Sequence, residues 1–160
     1  MSKIALALAE LHRSEGALAR ELRRVAARHH SDQDISHLAD DLARWSEEHV
    51  QLLAEHGRHY RLHLSRRTRR LRVSRWIQEQ LSAAMRRRPE PALLLLADLR
   101  RVHRDAAGVS LDWELLSQGA QATKDHELLT LTERCHPQTL RQMRWANAML
   151  KELSPQALSS

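Results

Sequence analysis

The chain has 160 residues, 42% hydrophobic and 29% charged, enough apolar mass for one core and too much for a disordered chain. Aromatic residues make up 3%, glycine and proline number four each and β-branched residues are few, which argues against a sandwich or barrel and for helix. Net charge is +6, and the single cysteine, Cys135, excludes an internal disulfide framework and a cysteine-rich zinc site. The first ten residues read as the opening turns of a helix and not as a signal peptide. No stretch reaches the roughly 18 uncharged apolar residues of a membrane span. The expectation is a cytoplasmic, single-domain, all-α protein.

Ile4, Leu8, Leu11, Glu15, Leu18, Leu22, Val25 and His29 alternate spacings of four and three, which predicts a helix over about 4–30 with one buried seam. The cluster from Ser31 to Asp34 supplies a turn and an N-cap. Ile35, Leu38, Leu42, Trp45, His49, Leu52, His56 and His59 continue the alternation. They predict a second helix over about 34–64, antiparallel to the first because the turn is short. From 65 to 90 the pattern changes: Leu71, Trp76, Ile77, Leu81, Ala84 and Met85 form a short apolar face amid arginines, closed at Pro89 and Pro91. This segment is expected to be a crossover with its own short helix, long enough to join opposite ends of a bundle.

Leu95, Leu99, Val102, Ala106, Val109, Trp113, Leu116 and Ala120 predict a third helix over about 91–123, continuous through Gly108. Leu129, Glu133, His136, Leu140, Met143, Asn147 and Leu150 predict a fourth over about 125–153, with a kink or restart at Pro137 and an end at Ser154–Pro155. Two hairpins joined by a long crossover make a four-helix bundle with one non-adjacent connection. An up-down-up-down bundle with an added fifth helix is the rival.

Charge is unevenly placed. Residues 57–78 carry eight arginines and no acid, +8, so the remainder of the chain nets −2. Arginine outnumbers lysine 23 to 3 overall, a bias of the chain as a whole. Arg66, Arg67, Arg69, Arg70, Arg72, Arg75 and Trp76 are the candidate contacts for nucleic acid or an acidic partner, through residues 58–76. A solvated connection is the plain alternative, and a membrane-surface contact through Trp76 a weaker one.

Glu15, His49, Glu133 and His136 sit on seams that are otherwise apolar, where an unpaired carboxylate is costly. Facing positions sum to about 65 in the first hairpin, which sets Glu15 level with His49, and to about 250 in the second, which sets His136 level with Glu114. Glu133 and His136 form a Glu-x-x-His pair with both side chains on one helix face. In di-iron carboxylate bundles two helices each give a Glu and the other two each give Glu-x-x-His.

The chain thus resembles the ferritin-like superfamily, to which ferritins and rubrerythrins belong, over about residues 4–64 and 91–153. The resemblance implies a metal centre of Glu15, His49, Glu114, Glu133 and His136 holding iron or manganese. It further implies ferrous oxidation by oxygen or peroxide, as a ferritin-like oxidoreductase, and a homodimer or higher oligomer. Two positions depart from the family pattern. Ser46 stands three residues before His49 where the pattern has a glutamate, and Glu114 lies beside the seam residue Trp113 and not on the seam. The consequence is a site with fewer ions, or a relic with none. The plain reading of Glu15 and His49 is a buried pair that fixes helix register. His29 is expected to cap or pack near His37. His56, His59 and His63 make either a second metal or proton-sensitive cluster or the solvent-facing end of the seam. Cys135, Trp45 and Trp113 are expected in the core. The sequence has no nucleotide loop, zinc signature or Ser-His-Asp pattern.

Overall fold

Each helix begins where the sequence offers a suitable first residue. In the computed structural model, which describes residues 1–68 and 90–160, α1 spans Lys3–Arg28, and the Ser2 hydroxyl accepts from the Ala5 N–H at 3.1 Å. α2 spans Gln33–Gly57, capped by Asp32 on the Ile35 N–H. α3 spans Pro91–Thr123, with proline at the first position, where its missing N–H costs nothing. α4 spans His126–Ser159, capped by Asp125 on the Leu128 N–H. The expected crossover helix, with Arg69, Arg70, Arg72, Arg75 and Trp76, lies outside the described residues.

Side-chain bonds fix the helix directions. Arg28 and His29 at the end of α1 both bond Asp98 near the start of α3, and Ser14 bonds Asp112 further along. α1 and α3 are therefore antiparallel neighbours. Gln142 bonds the Leu42 carbonyl and Ser46, while His56 further along α2 lies beside Asp125 at the start of α4, so α2 and α4 are antiparallel as well. α2 and α3 consequently run in the same direction: α2 ends at one end of the bundle and α3 begins at the other. The four described helices thus form two antiparallel hairpins, with the end of α2 and the start of α3 at opposite ends of the bundle.

The core runs along the whole length. α1 contributes Leu8, Leu11, Leu18, Leu22 and Val25, and α3 contributes Leu99, Val102, Val109, Trp113 and Leu116, all at most 1% exposed. On these two helices the buried stripe follows the predicted seam. On α4 it does not, and on α2 it does so only at Ile35, Leu42 and His49. The buried face of α2 is Ile35, Ala39, Leu42, Ala43, Ser46, His49, Val50, Leu53 and Ala54, while Leu38 is 44% exposed and Trp45 and Leu52 lie at the edge. The buried stripe of α4 is Leu128, Thr132, Cys135, Thr139, Gln142 and Ala146. The α4 stripe lies one residue before the expected seam throughout, a rotation of about 100°, whereas the α2 face keeps Ile35, Leu42 and His49 and takes Ala39, Ser46 and Leu53 in place of Leu38, Trp45 and Leu52. Small or polar side chains fill most of the inner face of α4, and on α2 alanine and serine share the inner face with Leu42, His49, Val50 and Leu53.

The ends of two helices also differ from expectation. α2 stops at Gly57 and passes into a 3-10 turn over Arg58–Tyr60. Arg61 then takes a left-handed conformation at φ 59°, and the Leu62 N–H bonds back to the Gly57 carbonyl at 2.9 Å. The reversal lets Leu62 bury to 7% exposure against the core. A Cβ at Gly57 would meet the end of the Leu64 side chain at 3.2 Å, so a larger residue there would have to push that side chain aside by a few tenths of an ångström. α4 runs on through Pro137 and Pro155 to Ser159. Both prolines lie on the exposed side of the helix, and each lacks the N–H that would otherwise bond the carbonyl four residues back, of Glu133 and of Lys151.

Candidate functional site

Glu15 on α1 and His49 on α2 meet in the centre of the bundle, both with fully buried side chains. His49 Nδ1 donates to Glu15 Oε1 at 2.7 Å, and Nε2 donates to the Gln138 amide oxygen at 2.7 Å. The Trp113 indole N–H donates to the same carboxylate oxygen at 2.7 Å, and the Trp113 ring stands edge-on to the imidazole. The Thr139 hydroxyl approaches that oxygen at 3.4 Å. An imidazole that faces an acceptor through each nitrogen is doubly protonated, hence cationic. Burial would push its pKa down, but the Glu15 carboxylate and the Cys135 sulfur against the ring outweigh it and hold His49 up at about 10. One layer along, Gln142 donates to the Leu42 carbonyl at 2.8 Å and to the Ser46 hydroxyl at 2.9 Å. The position where the family pattern has a glutamate is thus filled by a serine already bonded to a neutral amide.

The other expected ligands lie elsewhere. His136 Nε2 contacts the Ser110 hydroxyl at 2.8 Å, and its Nδ1 comes within 4.0 Å of Glu114 at the bundle surface. Glu114 and Glu133 are both exposed. The rotation of α4 accounts for this: it turns Cys135 and Thr139 inward and swings Glu133 and His136 outward. The five residues Glu15, His49, Glu114, Glu133 and His136 therefore do not converge. An iron or manganese centre needs several oxygen and nitrogen donors with free lone pairs. Among the described residues the centre of the core offers two such oxygens, Glu15 Oε2 and the neutral amide oxygen of Gln142, both buried and without a hydrogen-bond partner, and only one of them is a carboxylate. Such a centre does not fit these residues. His29 pairs with Asp98 at 2.8 Å and not with His37.

A second cluster closes the end of the bundle where α2 finishes. His56 and His59 are three residues apart across the last turn of α2 and the 3-10 turn, and their ring centres lie 5.0 Å apart. Glu127 in the first turn of α4 faces them, with its carboxylate 3.6 Å from His59 Nδ1. Asp125 is also near, but its oxygens already accept from the Leu128 N–H and the Tyr60 hydroxyl. His56 Nε2 is 3.7 Å from Asp125 and unbonded. Burial pushes the His56 pKa down against the pull of Asp125, and His59 pushes the same way. His63 is exposed and outside this group. The pairing of His56 and His59 was readable from their spacing. Glu127 was not, because it comes from the other hairpin.

Of the basic run, Arg58, Arg61, Arg66 and Arg67 are described, and all are exposed. Arg66 pairs with Glu55, and the His12 imidazole donates to the Ser65 carbonyl at 2.7 Å. The start of the run is thereby held against α1 and α2. A groove of about 430 Å³ lies there, lined by Glu47, Gln51, Arg66, Arg67 and Thr68. Among the described residues no helix is long and apolar enough to cross a membrane. Comparison of the chain with protein-family models, with curated proteins and with solved structures gives no match.

Proposed function

We propose that the chain is a ferritin-like bundle without a working dinuclear centre, serving as a non-enzymatic module that binds nucleic acid through its arginine-rich connection. One observation carries the reading: residues 57–78 hold +8 with no acid, on a protein whose remainder nets −2. Arginine forks suit phosphate oxygens, and Trp76 in the same run offers a flat surface for a base. The saturated bonds of His49 speak against chemistry in the core. The reading first drawn from the resemblance, iron or manganese in the core with oxidoreductase activity, keeps in its favour the topology and the free oxygen of Glu15.

The test is a titration of labelled single-stranded and duplex DNA at several salt concentrations. The binding constant should fall steeply with salt, since each phosphate neutralised adds roughly 0.7–0.9 to the log-log slope. Changing Arg69, Arg70, Arg72 and Arg75 together to alanine should lower that slope by about 3 and weaken binding more than tenfold at moderate salt. Absence of binding to either form at low salt overturns the reading. Tighter binding to polyglutamate than to DNA also overturns it, in favour of an acidic protein partner.

A further inference from the structure

We propose that His56, His59 and Glu127 form a binding site for one divalent transition-metal ion, zinc foremost, at the end of the bundle where α2 gives way to the 3-10 turn. Each of the three side chains offers a ligand atom, and these atoms lie within 4.8 Å of one another, the only such group of three or more among the described residues. Two imidazole nitrogens and one carboxylate oxygen are a donor set that zinc takes readily, with a fourth position left for water.

The site is built by local structure. A 3-10 turn brings side chains at i and i+3 nearly into line, so it sets His59 beside His56. The Asp125 cap starts α4 at a point that delivers Glu127 in the first turn to the same place. His56 supplies an independent pointer. Its side chain is only 10% exposed, yet its Nε2 is buried without a hydrogen-bond partner. A buried imidazole nitrogen left unbonded is costly, and a metal ion would satisfy the ring. The Tyr60 hydroxyl occupies Asp125 and so keeps that carboxylate from closing on His56. A shallow hollow of about 260 Å³ lined by Leu52, Glu55, His56, His59 and Leu131 gives the ion a way in from solvent.

Bound there, the ion ties the end of α2 to the first turn of α4, adding to the packing and the hydrogen bonds, such as Tyr60 with Asp125, that already join the two hairpins. Glu55 lines the same hollow and pairs with Arg66, so the metal site adjoins the start of the basic run.

The experiment uses the untagged full chain, stripped of metal, titrated with zinc chloride by calorimetry and with cobalt chloride by visible absorption. One equivalent of zinc is expected per chain, with a rise in melting temperature because the ion binds the folded form. His59→Ala and Glu127→Gln alter exposed side chains, so both variants should fold and melt as the parent does without metal. Each should weaken zinc binding by at least about tenfold. His63→Ala should bind as the parent does. The proposal is overturned if the parent binds no zinc, if both ligand variants bind as tightly as the parent, or if His63→Ala loses as much affinity as they do.

Discussion

Replacing Glu15 with alanine is expected to destabilise the fold by about 3–5 kcal/mol, because it strands a buried imidazolium with no counter-charge. For a domain of this length that lowers the melting temperature by roughly 6–20 °C. The Trp113 N–H and the Thr139 hydroxyl lose their acceptor in the same step. The contrast that isolates the cause is the double variant Glu15→Leu with His49→Leu. Removing both charges removes the desolvation cost as well as the attraction, and such swaps are often neutral or stabilising. Thermal and denaturant unfolding of the two variants should therefore order them with the double variant well above Glu15→Ala. A double variant as unstable as the single one would mean that packing, and not charge, is what Glu15 supplies.

Alkaline pH should weaken the fold through the same pair. His49 titrates near 6.5 in the unfolded chain and at about 10 in the folded one, so the fold favours the charged form. The resulting stabilisation is complete below about pH 6.5, declines as pH rises, and is gone once pH passes about 10. Its full size is on the order of 5 kcal/mol, taken from the separation of the two pKa values. The groups facing the ring are Glu15 from α1 and Cys135 from α4, with the neutral Gln138 and Trp113 beside them. Unfolding free energies measured from pH 6 to 10 should fall for the parent and change much less for the double leucine variant. Equal slopes for the two proteins would show that the pair does not carry the charge assigned to it.

The legible and illegible parts of the molecule divide by helix. On α1 and α3 the buried stripe is made of leucine, valine and tryptophan, so hydrophobic spacing reports it correctly, Glu15 included. On α2 and α4 the bulky residues mislead. Leu38 is exposed and Trp45, Leu52, Leu129 and Met143 are held at the flanks, while alanine, serine, threonine and glutamine take much of the centre beside Leu42, Val50 and Leu53. A second pattern was present: Leu128, Thr132, Cys135, Thr139, Gln142 and Ala146 keep spacings of four and three throughout. Threonine and glutamine score as surface residues, yet inside the bundle their donor groups are met by Leu129, Glu15, Leu42 and Ser46. The shift of one residue on α4 is enough to carry the Glu-x-x-His pair out of the core. Register within a hairpin was simpler to read, since a short turn fixes which residues are level, and Glu15 and His49 do lie together. Contacts between hairpins, such as His49 with Gln138 or His56 with Glu127, depend on a crossover whose path no spacing rule supplies.

The Glu15–His49 pair closes on itself in the core, with both imidazole nitrogens bonded, and the proposed reading takes it to hold no metal. The direct measurement is iron and manganese retained after anaerobic loading of metal-free protein and gel filtration, for the parent, Glu15→Gln and His59→Ala. The parent should keep no more of either metal than Glu15→Gln does. One or two ions held per chain by the parent and by His59→Ala, and lost with Glu15→Gln, would put a metal centre in the core after all.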